Sequence, residues 1–185
     1  MTTTIAQPAP LPMHTLYGQT MGTRWRVDLQ APQGAPLEPL HAAVQARLDA
    51  IDAQMSTWRG DSDLMRYNRA DAGSWQALPC DFFAVTECAL EVAEASEGAF
   101  DPTVGALVGA WGFGAHAVAT AAPDTRTLAQ LRAGTGWRRL GLRREGRQLL
   151  QPGGASLDLS AIAKGYAVDA VIELLRARGI TAALV

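Results

Sequence analysis

An α+β fold is predicted for this chain, and three observations predict it. Period-2 patterning appears near the N-terminus. Several later stretches carry apolar residues at helical spacing. Short strand-like runs then follow as hairpins, not in regular alternation with the helices. The expected architecture is a mixed sheet with packed helices. Of 185 residues, 48% are hydrophobic and 18% charged, a balance that supports a packed core and excludes a disordered chain. Lys+Arg number 16 against 18 Asp+Glu, a net charge of −2. That argues against a general nucleic-acid binder, which needs a basic excess. No apolar run is long enough for a transmembrane helix.

The elements follow in order. Residues 1–14 contain Pro8, Pro10 and Pro12 and are expected to form a flexible arm, with one domain over 15–185. Trp25, Val27 and Leu29 alternate with Arg24, Arg26 and Asp28, so Leu16 to Leu29 reads as a strand-like stretch. Pro32 to Pro36 breaks it. Leu37, Leu40, Val44, Leu48, Ile51 and Met55 then form one apolar stripe at steps of 3 or 4, a helix. Gly60 to Asp63 is a turn with a capping residue, leading into a short helix from Leu64 to Arg69. Asp81 is expected to cap a helix over Phe82 to Ser96, which Gly98 ends.

Pro102 suits the first turn of a further helix with Asp101 as its cap. His116 to Pro123 reads as a loop and Thr127 to Ala133 as a helix. Trp137–Leu142 and Gln148–Gln151 read as strands around a turn at Glu145-Gly146. Leu157-Asp158-Leu159 reads as a short strand, Ala161 to Arg178 as a helix ended by Gly179, and Thr181 to Val185 as a strand.

Cys80 and Cys88 exclude a disulfide framework and read as small apolar side chains near one helix. His14, His41 and His116 fit no zinc pattern. Arg138, Arg139, Arg143, Arg144 and Arg147 read as a solvated face. The N-terminus has no basic region, apolar core or lipobox cysteine of a leader, which places the chain in the cytoplasm as it stands. A removed leader would place it in the periplasm or at the inner membrane.

Four segments are over-specified for packing alone. Gly22 within Gln19-Thr20-Met21-Gly22-Thr23 marks either a β-bulge or the close approach of a ligand. Trp58 either stacks on a planar ring or covers the end of the core. Asp101 either caps its own helix or accepts hydrogen bonds from a ribose or a flavin edge. Asp158 precedes a helix start that favours anions, with Ser160 a candidate cap, and Lys164 in the opening turns opposes the helix dipole unless an anion is bound. Lys164 is the only lysine in the chain. It is either a solvated charge or a partner for a pyrophosphate.

The segments MGTRWRVDL, STWRGDSDLMRYN, EGAFDPTVGALVGAWGFG and LDLSAIAKGYAVD, in this order, resemble the FAD:protein FMN transferase (ApbE-type) family. The likeness runs from about Tyr17 to Val185. It implies an α+β fold and transfer of the FMN half of FAD to a Thr or Ser hydroxyl of an acceptor flavoprotein, with Mg²⁺ and release of AMP. It implies that Met21, Trp58, Ala99, Phe100, Asp101, Asp158 and Lys164 contact FAD and that the Ala161 carbonyl binds Mg²⁺. It assigns no catalytic residue. In the family a GGE-type turn follows the position of Val185, and a His and an Asp/Thr pair beyond it complete the metal site. The chain is therefore expected to be an N-terminal portion, incomplete at the C-terminus, with Asp158 or Asp169 the only substitutes for the absent metal carboxylate. The alternatives are a non-catalytic FAD-binding module and a Mg²⁺-dependent FAD pyrophosphatase.

Overall fold

The computed structural model describes residues 11–114 and 122–185. Most of the expected N-terminal arm and of the expected 116–123 loop lies outside the described residues. The α+β class holds: helices and sheets are mixed along the chain. The strands divide into two three-stranded antiparallel sheets. The chain divides into two compact units, residues 1–48 with 168–185, and residues 49–167. Among the described residues no helix is long and apolar enough to cross a membrane.

The first unit contains β1 (Met13–Thr20) and β2 (Thr23–Gln30). β1 opens within the stretch expected to be an arm. The single strand-like stretch expected over Leu16 to Leu29 is in fact a hairpin. Its two-residue turn is Met21-Gly22, with φ of +49° and +69°. Two consecutive positive φ angles give the turn whose twist matches the flanking strands. Leu16, Trp25, Val27 and Leu29 are buried, which sets the register, because a one-residue slip would turn this face to solvent. β6 (Ala183–Leu184) pairs with β2 on its other edge.

Helix α1 (Leu37–Met55) begins in the first unit and buries Leu40, Val44, Leu48, Ile51 and Met55 of the predicted stripe, while Leu37 at its start is half-buried. His41 Nε2 lies 2.9 Å from the Tyr17 carbonyl, and Gln45 links the Trp25 indole N–H to the Gln19 carbonyl. These contacts fix the hairpin against its helix.

The second unit begins inside α1 and continues with α2 (Asp63–Asn68). Ser62, fully buried, caps α2 by accepting from the Met65 N–H at 3.1 Å. A strand that the sequence did not suggest, β3 (Trp75–Ala77), pairs with β5 (Gln148–Leu150), which also pairs with β4 (Leu142–Arg143). Trp137–Arg139, expected as strand, is a 3₁₀ turn.

Helix α3 (Cys80–Ala95) buries Phe82, Phe83, Val85, Thr86, Ala89 and Ala93. Each large apolar side chain removed from water there contributes about 1.5–3 kcal/mol. Cys80 and Cys88 lie on this helix but are exposed, because they sit off its buried face. Asp81 does not cap α3, whose cap position is Pro79. It instead accepts from Gln54 and Tyr166.

Two short helices follow, α4 (Gly105–Ala110) and α5 (Thr125–Gly134). Asp124 caps α5 by accepting from the Thr127 N–H at 2.7 Å. Leu157-Asp158-Leu159 is extended but belongs to no strand. Leu157 and Leu159 are buried, and Ser156 makes a single parallel bridge to Val104. Helix α6 (Ser160–Ala177) follows at once, and the unit boundary falls within it. The five arginines are exposed as expected but not idle. Arg143 lies 3.6 Å over the Trp75 ring, Arg138 lies 4.4 Å over Trp137, and Arg144 pairs with Glu87 at 2.6 Å.

Candidate functional site

A cleft of about 410 Å³ in the second unit is lined by Thr57, Asn68, Arg69, Gly105, Gly109, Phe113 and Asp158, among others. Three glycines among its lining residues, Gly105, Gly109 and Gly114, present backbone in place of side chains. Phe113 is 71% exposed, so its ring is free to meet a planar ligand. Asp158 supplies an acceptor and Arg69 a cation.

The floor of the cleft is built by close backbone approach. A Cβ at Gly105 would stand 2.8 Å from the Ser156 carbonyl oxygen and 3.0 Å from that of Leu157. Only glycine allows the start of α4 to lie against this segment. The Gly105 N–H donates to the Ser156 carbonyl at 2.9 Å, and the Asp158 N–H donates to the Pro102 carbonyl at 2.9 Å. Residues 102–105 and 156–158 are thus held together.

Asp158 also shapes the start of α6. Its Oδ1 accepts from the Ser160 N–H at 2.8 Å and so turns the chain into the helix. Ser160, expected as a cap, is the first residue of that helix. Ala161 and Lys164 sit in its opening turns, both exposed. Among the described residues Lys164 makes no hydrogen bond or ion pair, which leaves its charge available to an anion. The sequence therefore brings Asp158, Ala161 and Lys164 to one helix start, where free N–H groups and the dipole favour negative charge.

Asp101 is not the cap of α4, whose cap position is Val104. Its Oδ1 accepts from the Thr103 N–H at 2.8 Å and the Thr103 hydroxyl at 2.6 Å, and its Oδ2 accepts from the Trp137 N–H at 3.2 Å. Thr103 is buried, and its hydroxyl oxygen accepts from the Gly136 N–H at 2.8 Å. Asp101 organises a loop in place of a helix because the chain needs three further residues to reach Gly105. Ala99 is exposed and Phe100 half-buried beside it, and neither lines the cleft.

Trp58 is 69% exposed and does not cover the core. It follows Thr57, a cleft residue, in the turn after α1. The Ser62 hydroxyl donates to the Ser56 carbonyl at 2.7 Å and closes this turn. Arg59 pairs with Asp61, and that hydrogen bond holds the Asp61 carboxyl below the usual carboxylate range. Met21 belongs to the first unit, where Gln19 to Arg24 line an open cleft around the hairpin turn.

Sequence reasoning singled out neither Asn68 nor Gly105 nor Phe113. All three lie inside the motifs that carry the family resemblance, Asn68 at the end of STWRGDSDLMRYN and Gly105 and Phe113 within EGAFDPTVGALVGAWGFG. The signal for Gly105 was a glycine at a helix start, where it lowers helix propensity with no local gain.

The ApbE family model matches residues 21–185. The chain belongs to the ApbE family. A relative from Klebsiella pneumoniae (strain 342), named FAD:protein FMN transferase, is 41% identical over 187 residues, covering 99% of this chain and 53% of the relative. A relative of the same name from Salmonella typhimurium is 36% identical, covering 99% of this chain and 52% of its own length. The crystal structure of Pseudomonas stutzeri flavinyl transferase ApbE in its apo form matches with a TM-score of 0.88 at 33% identity, over 97% of this chain and 60% of that one. Flavin transferase ApbE from Vibrio cholerae matches with a TM-score of 0.87 at 34% identity, over 93% of this chain and 56% of that one. The chain spans about half the length of the curated relatives it matches.

The metal implied by the family meets a mismatch here. Ala161 offers one neutral carbonyl, and it lies at the positive end of a helix dipole. Among the described residues no three His, Cys, Asp or Glu side chains cluster for a metal ion. Mg²⁺ wants about six oxygens, several of them from water or phosphate. The described residues do not form such a site by themselves.

Proposed function

We propose that residues 15–185 form the N-terminal, FAD-recognising part of an FAD:protein FMN transferase domain. The whole reaction moves the FMN half of FAD to a Thr or Ser hydroxyl of an acceptor flavoprotein. The hydroxyl oxygen attacks the FMN phosphorus and loses its proton. The bond from that phosphorus to the bridging oxygen breaks, and AMP leaves with the bridging oxygen. The observation that carries this reading is the arrangement at Asp158: a cleft with a glycine floor and an exposed aromatic ring, leading directly into a helix start that carries the chain's one lysine.

In this reading Met21, Trp58, Ala99, Phe100, Asp101, Asp158 and Lys164 contact FAD. Asp158 accepts hydrogen bonds, and Lys164 with the start of α6 offsets pyrophosphate charge. Mg²⁺ supplies further charge neutralisation when bound, with the Ala161 carbonyl as one ligand.

The test is incubation with FAD, Mg²⁺ and an acceptor domain carrying the target Thr. FAD binding is the result expected of residues 15–185, and covalent flavin fluorescence on the acceptor in a denaturing gel is the result expected of the whole transferase domain. FAD binding without transfer by the whole domain would reduce it to a flavin-binding module. Release of FMN and AMP without acceptor labelling would make it a pyrophosphatase. Lys164→Ala and Asp158→Ala are each expected to weaken FAD binding, and unchanged affinity in both would refute the site.

A further inference from the structure

We propose that Asn68 is a positioning residue for the nucleotide site, acting through Leu157 to set Asp158. The proposal rests on the reading of Asp158 as an FAD contact. Asn68 is the last residue of α2, and its side chain pairs with a backbone segment 89 residues away. Its Nδ2 donates to the Leu157 carbonyl at 3.0 Å, and its Oδ1 accepts from the Leu157 N–H at 2.8 Å. The primary amide copies a peptide group and satisfies Leu157 as a neighbouring strand would.

The other side of the segment is held differently. The Ser156 carbonyl accepts from Gly105, and the Asp158 N–H donates to Pro102. Successive backbone groups of an extended chain point to opposite sides. Asn68 therefore supplies one side of a pairing whose other side is residues 102–105. Leu157 is buried, so without Asn68 its N–H and carbonyl would lose their partner away from water. The segment would shift, and Asp158, which lines the same cleft as Asn68, would shift with it.

The residue type is restrictive. Aspartate keeps the acceptor for the Leu157 N–H but sets a negative oxygen against the Leu157 carbonyl. Leucine keeps neither bond. The anchor is firm on its own side too. The neighbouring Tyr67 is buried, and its hydroxyl donates to the Leu150 carbonyl at 2.8 Å.

The test is an FAD titration of the full chain followed by flavin fluorescence. It uses the wild type, Asn68→Ala, Asp158→Ala, the double variant, and Tyr67→Phe as a stability control. The wild type is expected to bind. Asn68→Ala should weaken binding about tenfold. In the Asp158→Ala background the same change should cost less than about twofold, because two residues acting through one contact are not additive. Tyr67→Phe should lower the melting temperature while leaving affinity within about twofold, because it removes one hydrogen bond outside the cleft. Asn68→Asp carries the same test should the alanine variant unfold. Full additivity with Asp158→Ala, or unchanged affinity in Asn68→Ala, overturns the proposal. Absence of FAD binding by the wild type sinks the reading of Asp158 first, and this proposal with it.

Discussion

Tyr166 on α6 donates its phenol to Asp81 in the first turn of α3 at 2.7 Å, across 85 residues of chain. Gln54, at the end of α1, donates to the other carboxylate oxygen at 3.0 Å and accepts from the Phe82 N–H at 3.1 Å. One carboxylate thus joins three helices of the second unit. Tyr166→Phe removes one hydrogen bond and should lower unfolding free energy by about 1 kcal/mol. Asp81→Ala strips the acceptor from two donors at once and should cost about 2–3 kcal/mol. Urea denaturation of both variants checks the order. Equal costs would mean that Gln54 gains nothing from Asp81.

Asp101 carries a second such junction, and its variants separate loop order from ligand contact. Asp101→Ala leaves the Thr103 N–H and hydroxyl and the Trp137 N–H without their acceptor. The expected cost is about 2 kcal/mol, because Thr103 is buried and cannot turn to water. Asp101→Asn keeps Oδ1 for Thr103 and should cost less than half as much. Thermal unfolding followed by tryptophan fluorescence reads both. A neutral Asp101→Ala would remove the carboxylate from any structural role.

The contrast between legible and hidden parts is physical. The stripe on α1 was legible because burial on one helical face repeats every three or four residues and leaves a local pattern. The hairpin at Met21-Gly22 was hidden because such turns favour Asn-Gly or Asp-Gly, and a methionine at the first position erases that signal. Leu157-Asp158-Leu159 alternates like a strand and is extended, yet its partners are the Asn68 side chain and the backbone of residues 102–105. No local pattern encodes a side chain standing in for a strand. Asp158 and Lys164 were legible as a helix start with an out-of-place cation, whereas Phe113 and Gly105 joined Asp158 in one cleft only once the chain was folded.

Alkaline pH gives a third prediction. Burial pushes the Tyr67 phenol well above its ordinary value of 10.0, because its charged form would lose hydration. The folded chain keeps this proton after the unfolded chain has lost it. The contribution is therefore complete below the ordinary phenol value and fades as pH rises from there toward the folded value. Urea stability of the wild type should fall more steeply than that of Tyr67→Phe between about pH 9 and pH 11. Parallel slopes would show that Tyr67 ionises as freely in the folded chain as in the unfolded one.

The hairpin turn sets stability against the proposed ligand contact. Met21 holds φ +49°, a conformation that costs a side chain about 1–2 kcal/mol and that asparagine tolerates better. Such strain persists when the residue has a task at that position. Met21→Asn should therefore raise the melting temperature while weakening FAD binding. Gly22 stands at φ +69° with open space where a Cβ would sit, so Gly22→Ala meets no clash and its cost is conformational. That cost should be about 1 kcal/mol, read as a lower melting temperature with Met21 still in place. A Met21→Asn variant that is more stable and binds FAD as tightly as the wild type would remove Met21 from the site and leave its strain without a purpose.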